Sequence, residues 1–238
     1  MKKVIIALIF CNVLYSQNSN ILSITYEKIS ELNVEQINNN PNIQVKRKNN
    51  LNIINNSIKE LEYNLYINDT LGKFELIEKL RNPEFDNKVI ALGGGANHFY
   101  DIKNKIVLRE IFSQGKHKFV KTTFDSINWI IVNETKKINN FVCYKAEGKT
   151  QKYSLKKGLY TIEYEAWFCP DFKYPLGPAE YVGLPGLIFE ANQKGAKFKF
   201  VLKKISREET KITLPDTDLL SPLEEFELLN KIYSKKFE

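Results

Sequence analysis

Apolar and polar residues alternate along most of this chain, as they do in strands that bury one face. Ile21–Ile29 reads as a first strand, and in Lys59–Ile67 the residues Leu61, Tyr63, Leu65 and Ile67 share a face. The same pattern predicts strands at Lys105–Phe112, Lys118–Phe124, Asn128–Val132, Phe141–Glu147, Tyr160–Phe168 and Gly186–Ala191, with Ala96–Tyr100 also extended. In Phe198–Ile205, the last of the series, Phe198, Phe200 and Leu202 alternate with Lys197, Lys199 and Lys203. Strands this close together, separated by Asn, Gly and Lys, predict a mainly antiparallel β-sheet that curls into a half-open barrel or bowl. Ser221-Pro222-Leu223-Glu224 is a capping box with Pro at the first helical position. It starts a C-terminal helix whose apolar stripe is Leu223, Phe226, Leu229, Ile232 and Tyr233, placed to cover one end or face of the sheet. The Asn-rich stretch Asn38–Asn56 reads as a loop or irregular segment. No repeat or linker divides residues 18–238, which are expected to form one domain.

Lys156-Lys157-Gly158 predicts a hairpin turn. With Gly158 left-handed in a three-residue loop, paired residue numbers sum to 314 and even positions share a face. That face carries Val142, Tyr144, Ala146, Tyr160, Ile162, Tyr164, Ala166 and Phe168, and is apolar on both strands. The odd face holds Thr161, Glu163 and Glu165 and is wetter. It also places Cys143 near-diagonal to Cys169. In an oxidising compartment such a pair is expected to form a disulfide, worth about 3 kcal/mol through its constraint on the unfolded chain. Two reduced, semi-buried thiols are the alternative, because a diagonal pair can lie too far apart to bridge.

Trp167–Glu190 joins two of the predicted strands through a linker dense in Pro, Gly and aromatic residues, with Pro170, Pro175, Pro178 and Pro185 each fixing φ. This linker is held to one path. Its motif residues are Gly177, Pro178, Gly183, Leu184, Pro185, Gly186, Leu187 and Ile188. The run Gly183-Leu184-Pro185-Gly186-Leu187-Ile188 resembles the hexapeptide of the GLPGLI family, exported proteins abundant in Bacteroidetes. The resemblance extends through Trp167-Phe168, Gly177-Pro178, Tyr181, Cys143, Lys145-Ala146 and Trp129, is strong over residues 97–194 and weak before residue 90. That family carries no established activity. Its members commonly have Thr or Ser where Cys169 stands, so a bridge is not implied by the resemblance. The family is also similar to bowl-like accessory domains attached to some bacterial glycan-cleaving enzymes. The linker aromatics either plug the open end of the curled sheet or form a stacking platform. The second reading marks Trp167, Phe172, Tyr174 and Tyr181 as ligand-binding.

Met1-Lys2-Lys3, the apolar run Val4–Leu14 and Tyr15-Ser16-Gln17 have the three parts of a secretory signal peptide, residues 1–17. The run is too short to span a bilayer, and Ile9-Phe10 before Cys11 argues against a lipoprotein leader. A periplasmic or secreted protein without a transmembrane segment is expected. The formal charge of +7 falls by two with the leader, and the basic residues are dispersed along the chain, which argues against nucleic acid as a partner. His98 and His117 lack metal-binding spacing, Gly93-Gly94-Gly95 lacks the Lys-Ser/Thr of a phosphate loop, and no cofactor or metal is expected. Asp69-Thr70-Leu71 and Asp125-Ser126-Ile127 resemble bacterial O-glycosylation sites at Thr70 and Ser126. The function expected is a non-enzymatic envelope binding module for an apolar, peptide or glycan ligand. The alternatives are a small exported hydrolase or peptide-modifying enzyme acting through Cys169 or through Glu163 and Glu165, and an assembly protein that pairs through a sheet edge.

Overall fold

A computed structural model describes residues 20–31, 34–42, 44–77 and 96–234; the expected leader, Cys11 and Gly93–Gly95 lie outside them. The described strands form one sheet: β1 Asn20–Ser30, β2 Glu62–Ile67, β3 Leu71–Leu76, β4 His98–Asp101, β5 Ile106–Ser113, β6 Lys116–Thr123, β7 Asn128–Ile138, β8 Phe141–Ser154, β9 Gly158–Cys169, β10 Leu187–Gln193, β11 Phe198–Glu209 and β12 Leu219–Leu220. Their order across it is β12-β6-β5-β4-β3-β2-β1-β11-β10-β9-β8-β7. Every pairing is antiparallel except β12 on β6. The edge strands β12 and β7 do not meet, so the sheet curls without closing, as the alternation predicts. Three described helices accompany it: α1 Val34–Asn39, α2 Val45–Lys59 and α3 Pro222–Ser234.

The core lies on the concave side. Tyr26, Tyr63, Leu65, Phe74, Tyr100 and Tyr164 are fully buried there, and Phe74 stacks on Tyr63 at 5.4 Å between centroids. The predicted C-terminal helix is present with its capping box closed in both directions. Ser221 N donates to Glu224 Oε2 at 2.7 Å, and Glu224 N donates to Ser221 Oγ at 3.2 Å.

Three expectations are corrected. The Asn-rich stretch is helical over α2, because Ile58 is fully buried and α2 packs on β1. Asn is a weak helix former, and here tertiary packing overrides propensity. Strand β3 is absent from the expected set. Gly72 occupies an inward position on it where the alternation calls for an apolar side chain, and a Cβ there would meet Tyr100 and Leu176 at 2.9 and 3.0 Å. The β8–β9 pairs sum to 312 rather than 314 (Tyr144 with Phe168, Ser154 with Gly158). The turn is Leu155-Lys156-Lys157, and Gly158 is left-handed with φ 65°. A slip of two preserves the faces, so Ala146, Ile162, Tyr164, Ala166 and Phe168 are buried. Val142 and Tyr144 are instead 42 % and 38 % exposed. Inward positions on β8 change from odd at Cys143 to even at Ala146, next to a break in the β7–β8 register between Ile131 and Thr135.

The loop between β9 and β10, residues 170–186, crosses the mouth of the bowl, and side chains from strands far apart in the sheet hold its backbone. Tyr100 Oη donates to Ala179 O at 2.6 Å, and Trp129 Nε1 donates to Val182 O at 2.8 Å. Tyr26 Oη donates to Ile188 O, just beyond the loop, at 2.6 Å. A Leu176–Val182 bridge and the bonds from Gly183 N to Pro175 O and from Ile188 N to Leu176 O fold the loop on itself. Gly183 has φ 91°, and a Cβ there would lie 2.3 Å from Phe124 O. At Gly186 a Cβ would lie 2.4 Å from Cys169 O.

Gly186→Val forces a side chain into that main-chain contact and is expected to destabilise the fold by about 3 kcal/mol. Urea unfolding checks this, and a wild-type midpoint would show that close packing does not fix the turn.

Candidate functional site

The inner face of the sheet is not apolar throughout. Towards its hairpin end, β8 continues the buried parity of Ala146 with Gly148, Thr150, Lys152 and Ser154. The side chains of Thr150, Lys152 and Ser154 face β4, β5 and β6 across a cavity of about 900 Å³, roofed by Pro222, Phe226 and Leu229 of α3. Walls that belong to strands so far apart in the sheet order show how strongly it curls. The roof is fastened on two sides. Arg109 of β5 forms an ion pair with Glu225 at 2.6 Å, and Tyr153 of β8 stacks on Phe226 at 5.3 Å between centroids. No described residue of α3 is fully buried, because its apolar stripe covers a cavity instead of a core.

Buried His98 and half-buried Glu180 supply the polar groups of the floor. His98 is 2 % exposed and lies edge-on to Phe74. Its Nδ1 is 2.9 Å from Ala96 O. A carbonyl only accepts, so Nδ1 carries the hydrogen and Nε2 is left as a bare acceptor in the neutral ring. Nε2 is buried and has no hydrogen-bond partner. Burial, aided by the charges of Arg109 and Lys152 and opposed by Glu180, lowers the His98 pKa to about 4, so the ring is neutral at pH 7.

Glu180 enters the cavity from the crossing loop, next to Ala179, whose φ of 51° is unusual for a residue other than glycine. Such a conformation costs on the order of 1 kcal/mol and is held by the Tyr100 hydroxyl. Glu180 Oε1 accepts from Lys152 Nζ at 2.5 Å and from Tyr164 Oη at 3.0 Å. Burial opposes its charge, yet the charge and hydrogen bond of Lys152, with help from His98 and Tyr164, lower its pKa to about 2. The Tyr164 hydroxyl, raised by burial and by Glu180, stays protonated. At neutral pH this floor presents an ionised carboxylate and a neutral imidazole acceptor, a pair suited to receiving hydrogen bonds.

The residues expected to bind ligand are packed elsewhere, and none of them lines this cavity. Tyr181 is buried against Tyr164, ring edge to face at 5.2 Å. Phe172 packs with Phe141 and Phe189 at 5.0 and 5.7 Å. Tyr174 is half-buried, with its N–H donating to Phe172 O. Trp167 is half-buried under Lys136, 4.2 Å from the ring centre. Of the motif, Leu184, Gly186, Leu187 and Ile188 are buried, as are Gly177 and Pro178, while Gly183 and Pro185 are exposed.

The expected disulfide is not formed: Cys143 and Cys169 are free and fully buried. Continuing the 312 register one pair beyond Tyr144–Phe168 sets them opposite rather than diagonal; Cys143 Sγ donates to Phe141 O at 3.8 Å, and in the interior reduced Cys behaves as a small apolar residue. Burial, with Cys169 alongside, pushes the Cys143 thiol up to about 12 and also raises Cys169. Glu163 and Glu165 pair with Lys149 at 2.7 Å and Lys145 at 3.5 Å. His117 is exposed, binds Glu110 at 2.6 Å and does not line the cavity that His98 lines. Among the described residues, no group of three or more His, Cys, Asp or Glu is placed to hold a metal ion, and no helix is long and apolar enough to cross a membrane. Thr70 is exposed in the β2–β3 turn, and Ser126 is half-buried at the cavity wall.

Sequence reasoning passed over Lys152, Thr150 and Glu180. The signal for the first two was the even face itself, which turns polar beyond Ala146. For Glu180 it was a lone carboxylate inside an apolar motif.

Residues 148–190 match a family described as "Protein of unknown function (Porph_ging)". The matched stretch contains β9, the crossing loop with Glu180, and the hexapeptide Gly183–Ile188. No curated protein matches the chain. Two crystal forms of PNGF-II share the fold, each with a TM-score of 0.53, at 13 % and 14 % identity over 88 % and 90 % of this chain. The matches cover 33 % of each PNGF-II chain, so this chain spans about a third of the length of the structures it resembles.

Two measurements probe this geometry. An unfolded imidazole titrates near 6.5, whereas His98 in the fold titrates near 4. Between these values the unfolded chain binds a proton that the folded chain refuses, so stability is full above pH 6.5 and falls as pH drops towards 4. The slope is about 1.4 kcal/mol per pH unit, and His98→Asn is expected to flatten that segment of a denaturation series. For the cysteines, a thiol-reactive disulfide reagent is expected to label both only after denaturation, without reductant. Labelling that required reductant would restore the bridge.

Proposed function

We propose that this protein is an exported binding module of the cell envelope, a member of the GLPGLI family that holds a small ligand between its curled sheet and α3. The observation that carries this reading is the cavity: about 900 Å³, with a polar floor and an apolar roof clamped at two points. Pockets of this size that combine apolar walls with a few converging polar groups are the usual form of a small-molecule site. Export rests on the leader sequence. Family membership rests on Gly183–Ile188 and the residues that accompany it.

Binding without catalysis is the better-supported reading. The raised thiols work against a Cys169 nucleophile, and Glu163 and Glu165 are committed to lysines. Glu180 stays ionised and His98 stays unprotonated at neutral pH, which removes both as general acids, and the Glu180 carboxylate is engaged by Lys152 and Tyr164. The linker aromatics serve the site indirectly: Tyr181 braces Tyr164, which holds Glu180.

Leu229→Trp, on the cavity side of a surface helix, fills the site without entering the core. Native mass spectrometry of protein purified gently from its own host is expected to show a non-covalent adduct that this variant loses while keeping the wild-type thermal midpoint. An adduct that survives Leu229→Trp would place the ligand elsewhere, and a bare chain in both would count against a resident ligand.

A further inference from the structure

The charges around the cavity are mutually paired. Arg109 binds Glu225 at 2.6 Å, Lys152 binds Glu180 at 2.5 Å, and Lys149 binds Glu163 at 2.7 Å. A phosphate or carboxylate ligand would have to break one of these pairs and face Glu180 or Glu225. An amine would face Arg109, Lys149 and Lys152. Neither sign of charge is offered an open counter-ion.

One deep polar atom is left over. His98 Nε2 is buried, has no partner, and belongs to a ring that is 2 % exposed and lines the cavity. Since Nδ1–H is directed at Ala96 O, Nε2 needs a donor. A buried acceptor without a partner is costly, and a ligand hydroxyl that reached Nε2 would satisfy it. Glu180, directed into the same cavity by the crossing loop, accepts hydrogen bonds as well; on the walls Thr122 can both donate and accept, and Thr150, whose hydroxyl donates to Ser126 O at 2.6 Å, can accept. Opposite them, Phe226 and Leu229 present an apolar surface on which C–H groups can lie.

We propose that the cavity binds a neutral, polyhydroxylated ligand, a short saccharide, with one hydroxyl donating to His98 Nε2 and an apolar sugar face against Phe226 and Leu229. This rests on the binding-module reading and narrows it to a ligand class. The volume accommodates more than one sugar ring, so trisaccharides are expected to bind more tightly than monosaccharides.

The test is calorimetry on the mature protein with three groups of probes. The first is maltotriose, mannotriose and chitotriose, with their monosaccharides. The second is N-phenyl-1-naphthylamine as an apolar probe. The third is trialanine as a peptide. In parallel, long-range ¹H–¹⁵N spectra follow the His98 ring nitrogens. The expected result is binding of at least one trisaccharide, with a shift of the Nε2 resonance characteristic of an accepted hydrogen bond and no change at Nδ1. His98→Phe and Leu229→Trp are each expected to weaken that binding at least tenfold. Leu229→Trp lies outside the core, so it keeps the test valid if His98→Phe fails to fold. Binding of the apolar probe or the peptide in the cavity, with no saccharide binding, would overturn the saccharide assignment and leave the binding module standing. Saccharide binding that leaves Nε2 unmoved and survives Leu229→Trp would also overturn it. If no probe binds, both readings fall.

Discussion

The structure depends on satisfying the backbone of one loop inside a dry bowl. A curled sheet that does not close exposes its apolar inner face at the mouth. Here a segment of chain covers that mouth and brings buried peptide groups with it. Each buried carbonyl needs a donor, and the donors are the tips of large aromatic side chains: Tyr26 from the middle of the sheet, Tyr100 from one half and Trp129 from the edge strand of the other. An aromatic ring fills the bowl while its polar tip reaches the loop. This one arrangement settles both core packing and loop path.

The same constraint builds the candidate site. The loop pins Ala179 in a left-handed conformation and directs the next residue, Glu180, towards Lys152 and Tyr164. Had the loop remained in solvent, Glu180 would be an ordinary surface carboxylate. Half-buried and paired with a lysine, it stays charged and lines the floor of a cavity. The motif glycines belong to this architecture as well, since Gly183 and Gly186 stand where main chain meets main chain. The hexapeptide thus acts on the site through the backbone. Its Leu184, Leu187 and Ile188 side chains lie among the packed residues, while Pro185 is exposed.

Much of the fold was legible locally. Period-two alternation located most strands, because a strand with one wet face must alternate. The Ser221–Glu224 capping box marked the start of α3, because its bonds span one helical turn. From Ala146 to the turn the hairpin kept its correct faces despite an error of two in pairing, whereas Val142 and Tyr144 lie on the opposite face from the one expected. Legibility failed where a distant part of the chain supplied the missing partner. Gly72 looks like a gap in a strand pattern until Leu176 and Tyr100 occupy the space beside it. The Asn-rich α2 has little helical preference of its own and depends on burying Ile58. Trp167, Phe172, Tyr174 and Tyr181 stood out as a cluster in sequence, but the fold distributes them among different packing contacts.

Sequence alone determined the curled antiparallel sheet, the capped terminal helix and the confinement of the Trp167–Glu190 linker, since each follows from interactions between near neighbours or from the stiffness of Pro and the freedom of Gly. The polar continuation of the even face of β8 beyond Ala146 was present in the chain but was passed over, because that face was read as apolar and only as far as Glu147. Only the tertiary structure decided that His98, Lys152 and Glu180 share one cavity and that α3 roofs it. These residues come from β4, β8 and the crossing loop, and their protonation states depend on burial and on one another's charge. Neither burial nor charge proximity across so many residues leaves a periodic trace in the chain.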